Sequence, residues 1–155
     1  MYTRNERFML KALRQAELAH AKGEAAVGAV IVKDGKIIAR GHNRKEATLD
    51  VTSHAEIEAM RKAASKLGTW RLDGCDMYVT LEPCPMCAGA IIQSRIRTLY
   101  IGAMDSKAGA AGSVVDLFRF SQFNHRVDVV LGLLHEQCSE ALKNFFGELR
   151  KGRTS

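Results

Sequence analysis

A chain of 155 residues, 46% of them apolar, has room for one core of ordinary size and for a single domain. Its net charge of +6 fits a polyanionic partner without proving one. Four cysteines are too few for a disulfide scaffold, no apolar run approaches the roughly 20 residues that span a bilayer, and the charged N-terminus has no signal-peptide core; a disulfide-rich secreted protein and a helical membrane protein are excluded, and the expected location is the cytoplasm.

The first predicted element is an amphipathic helix. Thr3 and Glu6 form a T-x-x-E capping box, and Met9, Ala12, Leu13, Ala16 and Ala19 recur at helical spacing until Gly23. Val27 to Val32 and Lys36 to His42 read as two strands, and the Asp34-Gly35 between them is a strong hairpin signal because both residues tolerate positive φ. A polar loop from Asn43 to Thr52 leads into a helix over Ser53 to Leu67, with Gly68 just past its end. Met77 to Leu81 is predicted as a strand, Pro85 to Ser94 as a helix and Thr98 to Gly102 as a strand. Asp105 to Gly112 is loop, Val127 to Leu131 the last strand, and His135 to Lys151 a long helix with Leu142, Phe145, Phe146 and Leu149 on its apolar side. This order predicts an α/β fold, a three-layer α/β/α sandwich around a central five-stranded mixed sheet. One domain spans residues 1–155, with a basic, frayed tail from about 150 onward.

Chemistry concentrates in two short segments. His54-Ala55-Glu56 is answered by Pro83-Cys84-Pro85-Met86-Cys87, and the only two prolines of the chain bracket Cys84. Structural zinc takes four protein ligands, whereas catalytic zinc keeps three and leaves the fourth position to water, so His54, Cys84 and Cys87 with a spare carboxylate point to a catalytic ion. A redox couple competes for Cys84 and Cys87, because C-x-x-C near a β-to-α transition is also the thioredoxin-type signal. A disulfide couple needs neither His54 nor Glu56. Cys75 and Cys138 have no partner at ligand spacing and read as small buried hydrophobes.

Both segments open predicted helices. Two helix N-termini can thus face one point, where their partial positive charge favours thiolates, and Pro85 suits the first helical position with Cys84 as the cap. Glu56 has two readings. Ser53-x-x-Glu56 is itself a capping box, while beside a three-ligand zinc the same carboxylate is placed to move protons for an acidified water.

The segments together resemble the H-x-E…P-C-x-x-C signature of the zinc-dependent nucleoside and nucleobase deaminases. Within that superfamily the sequence is most similar to the bacterial tRNA-specific adenosine deaminases, through Val27-Gly28-Ala29-Val30, Ser53-His54-Ala55-Glu56-Ile57, Thr80 to Ala90 and the loop Gly102 to Ser113. The resemblance covers nearly the whole chain and implies a cytidine deaminase-like fold. It also implies one zinc ion per subunit on His54, Cys84 and Cys87, with Glu56 as proton shuttle. The implied reaction is attack of water on C6 of a flipped-out wobble adenosine of a tRNA anticodon loop, giving inosine and ammonia, by a homodimer. Val27, Asn43, Ala55, Asp105, Lys107 and Phe145 are the implied substrate contacts. Taken residue by residue, Asn43 also reads as a turn asparagine, Asp105 and Lys107 as solvated charges, and Phe145 as a core aromatic.

Ala26 and Val51 stand where the family's pattern commonly has proline, and Ser53 where it has alanine. None removes a ligand; the first two loosen the backbone around the substrate. Two further readings stay open: a free nucleobase or nucleoside deaminase acting on guanine or cytosine, and a non-catalytic zinc-stabilised binding module, which leaves Glu56 without a purpose.

Overall fold

The computed structural model describes residues 1–154 and opens with helix α1 (Arg4–Ala21). Its capping box is formed: the Glu6 N–H donates to Thr3 Oγ1 (3.2 Å) and the Thr3 N–H to Glu6 Oε1 (2.8 Å). Strands β1 (Gly28–Lys33) and β2 (Lys36–His42) make the expected hairpin, with Asp34 and Gly35 at φ 51° and 75°. The chain continues through α2 (Lys45–Thr48), α3 (Ala55–Leu67), β3 (Cys75–Leu81), α4 (Pro85–Gln93) and β4 (Thr98–Ala103). A 3-10 turn at Leu117–Arg119, β5 (Asp128–Val130) and α5 (His135–Thr154) complete it.

The strand order is β2-β1-β3-β4-β5. β1 runs antiparallel to β2 and β3, while β3, β4 and β5 are mutually parallel, so every strand except β1 ends on the same edge of the sheet. The period-two alternation of strands then sorts the core. Ala29, Ile31, Met77, Val79, Leu99 and Ile101 pack with α3 and α4 on one face. Val30, Val32 and Tyr78 pack with Met9, Ala12 and Leu13 of α1 and Cys138 of α5 on the other. Three layers around a five-stranded mixed sheet result, as the element order implies. Gly41 sets the depth of one layer: a Cβ there would lie 2.4 Å from the Ala55 carbonyl oxygen and 2.6 Å from the Ala59 nitrogen. The start of α3 therefore rests directly on the backbone of β2.

Several boundaries differ from the sequence reading. The stretch from Asn43 to Thr52 contains α2, because the Glu24 carboxylate accepts the N–H groups of Glu46 (2.9 Å) and Ala47 (2.8 Å) and caps a helix too short to stand alone. β3 starts at Cys75 and β5 is confined to Asp128–Val130. α5 runs through Thr154, beyond the expected end at Lys151 and into the stretch read as a frayed tail; Arg150 and Lys151 are good helix formers, and Ser155 lies outside the described residues. On α5, Phe145 is buried and Leu142 half-buried, but Phe146 (48% exposed) and Leu149 (41%) turn outward. Cys75 and Cys138 are free and buried.

Candidate metal centre and active site

The two ligand-bearing segments meet at the edge where β2 and β3 end. His54 is the N-cap of α3 and Cys84 the N-cap of α4, both with extended backbone (φ −78°, ψ 159° and φ −73°, ψ 171°). Pro85 opens α4, where its missing N–H costs no hydrogen bond. Neither cap side chain is spent on its own helix. His54 Nδ1 lies 3.6 Å from Cys84 Sγ and 3.5 Å from Cys87 Sγ, and the three ligand atoms fall within 4.8 Å of one another. Bonds of about 2.0–2.1 Å to nitrogen and about 2.3 Å to sulfur at tetrahedral angles put N and S about 3.5 Å apart, so this donor set fits zinc.

The Ser53-x-x-Glu56 capping box does not form. The cap is His54, one residue further on, and the Ser53 hydroxyl instead accepts a hydrogen bond from the Thr48 hydroxyl (2.9 Å). Glu56 is thereby released from a capping role and is buried in the first turn of α3, 4% exposed. Burial pushes its carboxyl up to about 7, against the pull of its own backbone N–H and of His54. The two thiols divide one proton unevenly. A hydrogen bond from Cys87, assisted by His54, holds Cys84 down at about 4, while the same bond and burial push Cys87 up. His54 is raised in turn by its hydrogen bond with Cys84. Two cysteine ligands bind a divalent cation as thiolates, so binding at this set would release the proton that Cys87 holds.

The residues expected to contact substrate are placed as follows. Val27 and Asn43 are joined through the Asn43 N–H and the Val27 carbonyl (3.2 Å), and Ala55 is the buried residue between His54 and Glu56. Asn43 Oδ1 accepts the Lys45 N–H (3.1 Å), which is a turn bond. Lys45 lies near enough to His54 to act on its charge. Asp105 Oδ1 accepts the N–H groups of Lys107 (3.0 Å) and Ala108 (3.2 Å), which shapes the loop and leaves Lys107 exposed at its tip. Phe145 stands apart: it packs edge-on against His20 (ring centroids 5.6 Å) on the face of α1 and α5, opposite to α3 and α4. Ala26 is buried, and Val51 is exposed.

Two carboxylates were not visible as site residues in the sequence. Glu24 caps α2 and so shapes the Asn43 to Thr52 segment. Glu82, 2% exposed, receives the N–H groups of Asp105 (2.9 Å), Ala111 (2.8 Å) and Ser113 (3.1 Å) together with the Ser113 hydroxyl. Burial alone would raise its pKa, and these four bonds outweigh it and hold the carboxyl below the usual range. The available signal was a charged residue directly after the apolar end of β3 and directly before Pro83-Cys84.

Comparison with known proteins agrees with this geometry. Residues 3–150 match the MafB19-like deaminase family. A tRNA-specific adenosine deaminase of Bacillus subtilis is 47% identical over 149 residues, 96% of this chain and 92% of that protein. A solved structure from a study of A-to-I editing by tRNA:A34 deaminases at the wobble position of transfer RNA superposes with a TM-score of 0.85 at 48% identity, covering 88% of this chain and 99% of the other. The guanine deaminase of Bacillus subtilis superposes less fully, with a TM-score of 0.62 at 44% identity over 64% of each chain. A deaminase family match over nearly the whole chain, a relative aligned end to end, and a His-Cys-Cys centre beside a buried glutamate lead to one placement: the chain is an enzyme of the deaminase superfamily and belongs to the tRNA-specific adenosine deaminase family.

Proposed function

We propose that the protein hydrolyses adenosine to inosine at the wobble position of a tRNA anticodon loop, in the cytoplasm, with one zinc ion held by His54, Cys84 and Cys87. The observation that carries the chemistry is a buried carboxylate, Glu56, beside three ligands whose spacing fits a tetrahedron with one corner to spare. The family supplies the substrate, and exposed Arg44, Lys45 and Lys107 on the two loops beside the centre suit a polyanion.

Zinc in such a site supplies a water acidified toward neutral pH. The chain's residues do the rest. Glu56 takes a proton from the attacking water and delivers it to N1 of the purine as the C6–O bond forms. It then carries the second proton of that oxygen to the 6-amino group, the C6–N bond breaks, and inosine and ammonia leave. A carboxylate positioned between the attacking oxygen and the purine serves both directions of transfer. Val27 and Ala55 flank the base, the Asn43 NH₂ contacts base or ribose, and Lys107 meets a phosphate. An anticodon loop suits this pocket because extruding an unpaired base is cheap. Phe145 serves by fixing α5 against α1.

Purified protein incubated with anticodon stem-loops carrying a wobble adenosine should form inosine and release ammonia. Free adenosine, guanine and cytidine alongside should remain unchanged, and stem-loop affinity should fall as salt rises through counterion release. Turnover confined to free guanine or cytidine, insensitive to salt, would overturn the assignment in favour of the free-base reading.

The same reading includes a homodimer. Ala88, Ile91 and Ile92 of α4 are core, but Ile57, Met60, Ala64, Trp70, Leu72 and Ala90 line an open apolar groove between α3 and α4, with Trp70 59% exposed. Light scattering should return twice the mass of the 17.1 kDa chain; a Trp70→Glu variant should shift it toward monomer, and a wild-type protein monomeric at micromolar concentration would remove the dimer.

A further inference from the structure

We infer that Glu82 is a positioning residue that fastens the loop Asp105–Ser113 to the turn carrying Cys84, and so sets where the RNA-facing loop stands relative to the reacting base. This rests on the tRNA reading above.

The connections run in both directions. Glu82 sits between the last residue of β3 and Pro83-Cys84, and its own N–H donates to the Ala103 carbonyl at the end of β4 (2.8 Å). Its carboxylate is turned away from solvent into the loop, where three backbone N–H groups and the Ser113 hydroxyl converge on two oxygens. The loop returns the contact, since the Ala110 N–H donates to the Pro83 carbonyl (2.8 Å). Gly109 leaves no room for slack: a Cβ there would stand 2.2 Å from the Glu82 carboxyl carbon. The ligand turn and the loop thus form one unit around a single side chain.

Only an ionised carboxylate meets these demands. Four donors require an acceptor-only group, and a carboxamide brings an NH₂ that must face donors or remain unpaired in a buried place. Both oxygens being spent on the loop, Glu82 has no role in proton transfer. What it governs is distance. Lys107 at the loop tip is exposed, and the frame that holds it is anchored two residues from a metal ligand. A bound anticodon loop is therefore gauged against the metal centre through a rigid connection, and freeing that connection blurs the placement of RNA while the ligands stay together.

The test uses Glu82→Gln and, from the loop side, Gly109→Ala, whose Cβ forces carboxylate and loop apart while leaving the Glu82 side chain chemically unchanged. Both should keep the zinc content of wild type. Each should raise KM for the anticodon stem-loop about tenfold or more, with the smaller part of the loss in kcat, and each should lower the slope of log affinity against log salt by about 1, the signature of one lost phosphate contact. Glu82→Gln combined with Lys107→Ala should be less than additive. A general loosening of the fold would lower metal content and melting temperature together and leave the salt slope alone. If wild type ignores the stem-loop, the tRNA reading falls; if wild type acts and both variants match it in KM and salt slope, this inference falls alone. Loss of zinc in step with activity in both variants would also overturn it, by making Glu82 a support of the metal rather than of the loop.

Discussion

Glu56→Gln should keep its metal and lose between about 10² and 10⁴ in turnover, the usual contribution of a positioned proton-transfer group. The substitution preserves volume in a buried site, so the ligands next to it have no reason to move; Glu56→Ala would add an empty space to the same chemical loss. The carboxamide cannot accept the water's proton and cannot release one to the purine or the departing amine. Metal analysis and single-turnover deamination of a stem-loop check the two halves of the statement separately. Near-normal turnover with a full complement of metal would take Glu56 out of the mechanism, and a loss of metal would make it a support of the ligand set instead.

Cys87→Ala should release the metal and weaken the fold as a whole. Cys87 is wholly buried in the first turn of α4, and with Cys84 and His54 it joins segments that are 33 and 30 residues apart in the chain. Anything that binds only the folded state stabilises it by mass action, about 4 kcal/mol when the free ligand stands at a thousand times its dissociation constant. The variant forfeits that term and gains a small cavity. Denaturant titrations of wild type and variant, each with and without a chelator, should show a large difference in metal that mostly closes once wild type is stripped. A variant that holds zinc and matches wild-type stability would remove Cys87 from the ligand set.

Local signals foretold what local chemistry determines. Asp34-Gly35 announced the hairpin because positive φ at two successive residues leaves few other uses, and Pro85 announced the start of α4 because its ring presets φ and needs no N–H. Residue types and spacing put His54, Cys84 and Cys87 forward together, and the structure brings their ligand atoms within 4.8 Å of one another at two helix starts on one edge. Where the sequence misled, a distant residue had intervened. Of the two readings of Glu56, the capping box with Ser53 does not form, since the cap falls at His54 and Ser53 is engaged by Thr48. α2 depends on Glu24, more than 20 residues earlier, so no window over Asn43 to Thr52 contains its cause. Glu82 is the same case at the other loop: its partners lie 23 to 31 residues downstream. Phe145 had two readings, a substrate contact by resemblance and a core aromatic by its place on an amphipathic helix, and it lies buried against His20.

The antiparallel pairing of β1 with β3 divides the chain into two contributions to one sheet. Helix α1, the hairpin and α3 come before the connection at residues 68–74, and β3, α4, β4, β5 and α5 come after it. His54 and Glu56 belong to the first part, Cys84 and Cys87 to the second. A fragment that ends before β3 holds only His54 of the three candidate ligands, and capture of a metal by either part alone is limited to incomplete ligation. The centre in this sense reports one event of folding, the closing of the start of α3 against the turn between β3 and α4, two stretches about 30 residues apart.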